Sequence, residues 1–77
     1  MASIRHGSLR LVVYPNDHEP PHAHVIGAGW EVRVALSCPP GLLTVAGRPK
    51  AGEGADALLA VEARLSELRQ LWSELHG

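Results

Sequence analysis

Asn16-Asp17-His18-Glu19-Pro20-Pro21-His22-Ala23-His24 places three of the chain's five histidines, two carboxylates and two of its six prolines within nine positions. Histidine is the side chain that both titrates near neutrality and ligates metals as a neutral ring, so this concentration beside Asp17 points to proton transfer, metal binding or a pH-sensitive contact. Side chains two apart on a strand point the same way, which puts His22 and His24 on one face with Ala23 opposite. His18, at the far side of a Pro-Pro turn, folds back toward them.

Three chemistries fit these residues. With Asp17 or Glu19, the rings of His18, His22 and His24 supply the three or four nitrogen and oxygen donors that zinc or another first-row divalent metal accepts. Without a metal, His22 and His24 can divide acid and base work in the cleavage of RNA by its own 2'-hydroxyl, with Arg10 or Arg33 as the cation on the phosphate and Asp17 orienting an imidazole. In the third reading the segment is a structural turn. Asn16 and Asp17 then cap it, Pro20 and Pro21 stiffen it, and the histidines are half-exposed strand residues.

The elements that must position this segment read as follows. Ser8 to Tyr14 is short, aliphatic and ended by Pro15, so it is a first strand. Pro15 to Pro21 is a turn, and His22 to Ile26 is a second strand. Gly27-Ala28-Gly29 signals a hairpin, after which Trp30, Val32, Val34 and Leu36 alternate with Glu31, Arg33, Ala35 and Ser37 in the clearest strand of the chain. Cys38-Pro39-Pro40-Gly41 breaks it, and Leu42 to Ala46 makes a shorter fourth. From Asp56 to His76 there is neither Gly nor Pro. Leu58, Val61, Leu65, Leu68, Trp72 and Leu75 recur there at alternating spacings of three and four, an amphipathic helix with Asp56 as its N-cap.

The expected fold is therefore α+β. One domain over 1–77 holds a small antiparallel sheet of three to four strands within 8–46, a linker at 47–54, and one long C-terminal amphipathic helix over 56–76 covering the sheet. At 77 residues with no Phe, the core must come from Leu, Val and Ala. Such a small core calls for a partner chain, a metal or an oligomer, and Leu71, Trp72 and Leu75 are the expected partner surface. Trp30 and Trp72 are expected as core anchors, Cys38 as a small buried strand-end residue, and His6 as exposed.

The formal net charge is -1, which excludes the strongly basic class of nonspecific nucleic-acid binders. Its distribution is uneven. Residues 1–50 carry five Lys and Arg against three Asp and Glu, whereas residues 51–77 carry two against five. The half with the histidines is the half suited to an anion such as phosphate. A lone cysteine leaves no internal disulfide, and no segment reads as a signal peptide or membrane span, so the expected setting is the cytoplasm.

Tyr14-Pro15-Asn16-Asp17-His18-Glu19-Pro20-Pro21-His22-Ala23-His24-Val25 resembles the signature of domain-of-unknown-function family 4160, in which a hydrophobic strand leads into N-D-H-x-P-P-H-x-H. Ser3-Ile4-Arg5, Trp30-Glu31-Val32-Arg33-Val34 and Ala57-Leu58-Leu59-Ala60-Val61 with a late Trp72 follow the same order, so the resemblance spans nearly the whole chain. It departs from the family in a shorter first strand and a Gly- and Pro-rich stretch from 41 to 54. Such proteins are small, bacterial and often encoded beside another small protein. The resemblance implies a toxin-like subunit bound by a cognate antitoxin; together with the histidine cluster in the cationic half it leads to RNA or the translation apparatus as the expected target. It also singles out Asn16, Asp17, His18, Pro20, Pro21, His22 and His24. The alternative is a non-enzymatic binding or inhibitory module, including a homodimer.

Overall fold

The computed structural model describes residues 2–77. Five strands, β1 (Ala2–His6), β2 (Leu9–Val13), β3 (His22–Gly27), β4 (Trp30–Ala35) and β5 (Gly41–Gly47), form one antiparallel sheet in sequence order. Two helices, α1 (Glu53–Ala63) and α2 (Leu65–His76), follow. The α+β class is as expected. The strand count is not, because β1 adds a hairpin partner to β2 in register Ile4↔Leu11. Ser3 and Arg5 are the exposed positions of β1 between the half-buried Ala2, Ile4 and His6, and Gly7, with φ 62, makes the turn that reverses the chain.

Alternation along β2, β3 and β4 produces one apolar core face. Leu11, Val13, Ala23, Val25, Trp30, Val32 and Val34 pack there against Ala57, Ala60 and Val61 of α1 and Leu68 and Trp72 of α2. Each fully buried Val or Leu contributes about 1.5–3 kcal/mol. Isolated helices of this length are marginal in water, so it is this interface that holds α1 and α2 in place. Trp30 is a core anchor as expected, and its indole Nε1 donates to Glu53 at the start of α1, 3.0 Å away. That bond fixes one end of the helical layer to the sheet.

The helical region differs from the single expected helix. Arg64 leaves helical geometry at φ -115, ψ 19, and its N–H is shared between the Ala60 and Val61 carbonyls. No Gly or Pro marks this break, since Ala63, Arg64 and Leu65 are all good helix formers. The N-cap is also displaced. Gly52, at φ 88, occupies it, and Asp56 lies within the first turn. The linker is correspondingly short, because β5 runs to Gly47 and α1 begins at Glu53.

Cross-strand partners share a face. The registers Val12↔His24 and His24↔Arg33 therefore place Val12, His24 and Arg33 opposite the helical layer. The connection between Tyr14 and Pro21 returns over that side, with the Tyr14 ring edge-on to His24 at 4.7 Å. β5 is an edge strand whose Leu42, Leu43 and Val45 are all about half exposed. Among the described residues, no helix is long and apolar enough to cross a membrane.

Candidate functional site

His22 and His24 stand on β3 with both rings buried, as two of the few polar side chains that the fold removes from water. Burying an imidazole is tolerable only when its nitrogens find partners. His22 Nδ1 donates to the Pro20 carbonyl at 2.8 Å, a bond set by the bend of the Pro-Pro segment. His24 Nδ1 donates to Glu31 Oε2 at 2.6 Å. Glu31 and His24 lie seven apart in sequence, yet the tight turn at Ala28-Gly29 pairs Ile26 with Glu31 and makes His24 its diagonal neighbour on the same face.

The remaining nitrogens point to one place. His24 Nε2 lies 2.8 Å from Asp17 Oδ2, and His22 Nε2 lies 3.2 Å from the same oxygen. The second approach is poorly aligned for a hydrogen bond, so His22 Nε2 is a buried nitrogen with no hydrogen-bond partner among the described residues. One ligand atom each from Asp17, His22 and His24 can be chosen so that all lie within 4.8 Å of one another. Three side chains from one turn and one strand thus form a two-histidine, one-carboxylate cluster.

Asp17 is held from outside its own segment. His76, the last residue of α2, donates from Nε2 to the Asp17 carbonyl and from Nδ1 to the Trp72 carbonyl, both at 2.9 Å. Its ring stacks on Trp72 at 3.7 Å, and the Trp72 ring is 5.5 Å from His22. Trp72 is therefore buried beside the site, a core anchor as expected. Leu71 and Leu75 likewise pack against the core.

The cluster opens into a cleft of about 340 Å³ lined by Asn16, Asp17, His18, His22, Arg33 and Thr44, among others. Arg33 is exposed there, and no carboxylate lies within ion-pair distance of it among the described residues. A larger hollow of about 490 Å³ near Leu9, Trp30 and Ala60 has no comparable group of ligating atoms.

Of the residues singled out in sequence, Asp17, His22 and His24 come together. His18 does not join them; it is exposed on the cleft wall. Arg33 reaches the cleft, whereas Arg10, paired with Ile26 farther along β3, is not among the residues lining it. Asn16 and Pro20 line the cleft, and Pro21 accepts a hydrogen bond from the Leu36 amide. Cys38 is exposed, not buried. His6 is half-buried and accepts a hydrogen bond from Arg64 Nε at 3.3 Å.

Two contributors escaped sequence reasoning. Glu31 could have been found from the hairpin register, since a two-residue turn fixes which residues become diagonal neighbours. His76 had no comparable signal, because its partner is 59 positions away. Comparison with protein-family models, with curated proteins and with solved structures gives no match for this chain.

Proposed function

We propose that this chain is a toxin-like subunit that acts on RNA at the cleft beside Asp17, His22 and Arg33, in the cytoplasm and under the control of a cognate small protein. The observation that carries this reading is the convergence of Asp17, His22 and His24 beside a cleft that Asp17 and His22 line and whose wall presents Arg33, a guanidinium with no ion pair among the described residues. The resemblance to domain-of-unknown-function family 4160 supplies the toxin and antitoxin context.

Each group has a role suited to its surroundings. Arg33 meets the phosphodiester with its planar fork of donors. His18, exposed on the wall, exchanges a proton with the attacking or leaving oxygen. Buried and already bonded through Nδ1, His22 and His24 are poor proton carriers to a substrate; with Asp17 they form the fixed polar cluster beside the cleft. The acid and base work first assigned to that pair passes to His18 in this reading.

A second reading, a protein-binding module, is favoured by β5. The strand from Gly41 to Gly47 contains no charged residue and exposes Leu42, Leu43 and Val45 at a sheet edge. Edges of this kind normally carry charge or Pro to prevent pairing. The antitoxin or a second copy then pairs with β5, in place of the surface at Leu71, Trp72 and Leu75.

Induced expression tests the RNA reading. Wild-type protein arrests growth and degrades cellular RNA, while His18→Asn and Arg33→Gln, both at exposed positions, abolish the arrest without loss of folded protein. Full arrest by both folded variants would contradict the site.

A further inference from the structure

We infer that Asp17, His22 and His24 form a binding site for one divalent first-row metal ion of the zinc class. The Pro20 carbonyl can only accept, so the 2.8 Å bond to His22 Nδ1 requires the hydrogen to sit on Nδ1. In the neutral ring, Nε2 of His22 then carries a lone pair. That lone pair is buried, has no hydrogen-bond partner among the described residues, and faces Asp17 Oδ2 at 3.2 Å. Two electron-rich atoms held together in a buried place call for a cation between them.

His24 differs in that both its nitrogens lie at hydrogen-bond distance from carboxylates, Nδ1 at 2.6 Å from Glu31 Oε2 and Nε2 at 2.8 Å from Asp17 Oδ2, so an ion would take the place of the hydrogen between Nε2 and Asp17. Two carboxylates thus flank the two imidazoles, a set whose charge one divalent ion balances. The outer contacts are those of metal-ligating histidines, which hand the second ring N–H to a carboxylate or a backbone carbonyl. Here His24 has the carboxylate of Glu31 and His22 the carbonyl of Pro20.

The donor set also fits in kind, and one of its pairs fits in spacing. Nitrogen and carboxylate oxygen suit zinc and its first-row neighbours better than calcium or magnesium. Bonds of about 2.0 Å in a tetrahedral site place neighbouring ligand atoms about 3.3 Å apart. The Asp17–His22 separation of 3.2 Å is close to this, and that of Asp17 and His24 is 2.8 Å. Three protein ligands leave a further coordination position. Asp17 and His22 both line the cleft, so that position is on the substrate side. Only the identity of the substrate rests on the RNA reading; the ion itself rests on ring geometry.

Titration of tag-free, chelator-stripped full-length protein with zinc, followed by calorimetry and elemental analysis, tests the inference. Wild-type protein binds one equivalent per chain. Asp17→Asn and His22→Ala lose it, Glu31→Gln weakens it about 10- to 100-fold, and His18→Asn still binds one. Cobalt loaded in place of zinc shows the visible absorption of a low-coordinate site with nitrogen and oxygen ligands. Should Asp17→Asn or His22→Ala fail to fold, Glu31→Gln and the cobalt spectrum still decide. Binding below stoichiometry in folded wild-type protein, or a Glu31→Gln affinity equal to wild type, overturns the metal site. Growth arrest that survives either result leaves the RNA reading standing; stoichiometric zinc without growth arrest overturns that reading and keeps the metal.

Discussion

The Nε2 of His76 donates to the carbonyl of Asp17 at 2.9 Å, joining the last turn of α2 to the turn that precedes β3. This bond spans 59 positions of sequence and links the helical layer to the cluster at one end of the sheet. Two carbonyls, of Asp17 and Trp72, are served by the two nitrogens of one ring, which requires both nitrogens to carry hydrogen. The ring also stacks on Trp72 at 3.7 Å.

Replacing His76 by Ala removes both bonds and the stacking. The expected loss is about 1–2 kcal/mol in urea unfolding. His76→Phe, which keeps the stacking alone, is expected to recover only part of it. Equal stability of wild type and His76→Ala would show that α2 does not hold the Asp17 turn.

Gly27 precedes the hairpin turn, and the Trp30 indole lies where a Cβ would project. Gly27→Ala drives a methyl group into that ring, and the indole is fixed by its bond to Glu53. The expected cost is about 1–3 kcal/mol, read as a lower denaturation midpoint. An unchanged midpoint would mean that Trp30 can leave its place without penalty.

Arg33 is exposed and makes no ion pair among the described residues, so its removal leaves the fold nearly unchanged, within about 0.5 kcal/mol. Binding of single-stranded RNA by Arg33→Ala is expected to weaken. The slope of log affinity against log salt should fall by about 0.7, the value for one single-strand phosphate contact. An unchanged slope would place the phosphate elsewhere.

Val45 is about half exposed on the edge strand β5, where pairing with another strand would bury it. Val45→Lys introduces the charge that edge strands ordinarily use against association. Sedimentation is expected to show self-association of wild-type protein at high concentration and monomeric Val45→Lys of unchanged circular dichroism. Monomeric wild-type protein at every concentration would remove the second copy as an occupant of β5.

The parts of this architecture that were legible are those encoded locally. Alternation from Trp30 to Val34 gave β4, the glycine pair around Ala28 gave the hairpin, and two-residue spacing gave the shared face of His22 and His24. Asp17 was legible as their neighbour because a proline-stiffened turn leaves it few other places to go. The rest depends on contacts distant in sequence. β1 forms because β2 offers it an edge, despite the polar Ser3 and Arg5. The interruption at Arg64 falls among good helix formers. His18 carries the same side chain as His22 and His24 but sits on the turn, where no strand period fixes its direction. His76 joins the site only because α2 ends above the Asp17 turn.

The tautomers of His22 and His24 test the central claim most directly, through long-range proton–nitrogen correlation spectra of uniformly labelled protein before and after one equivalent of zinc. The account predicts hydrogen on Nδ1 of both rings in the zinc-loaded protein, with both Nε2 resonances shifted to the range of metal-bound nitrogen and His18 unaffected. Hydrogen on Nε2 of His22 after zinc addition, with no shift at either ring, would contradict it.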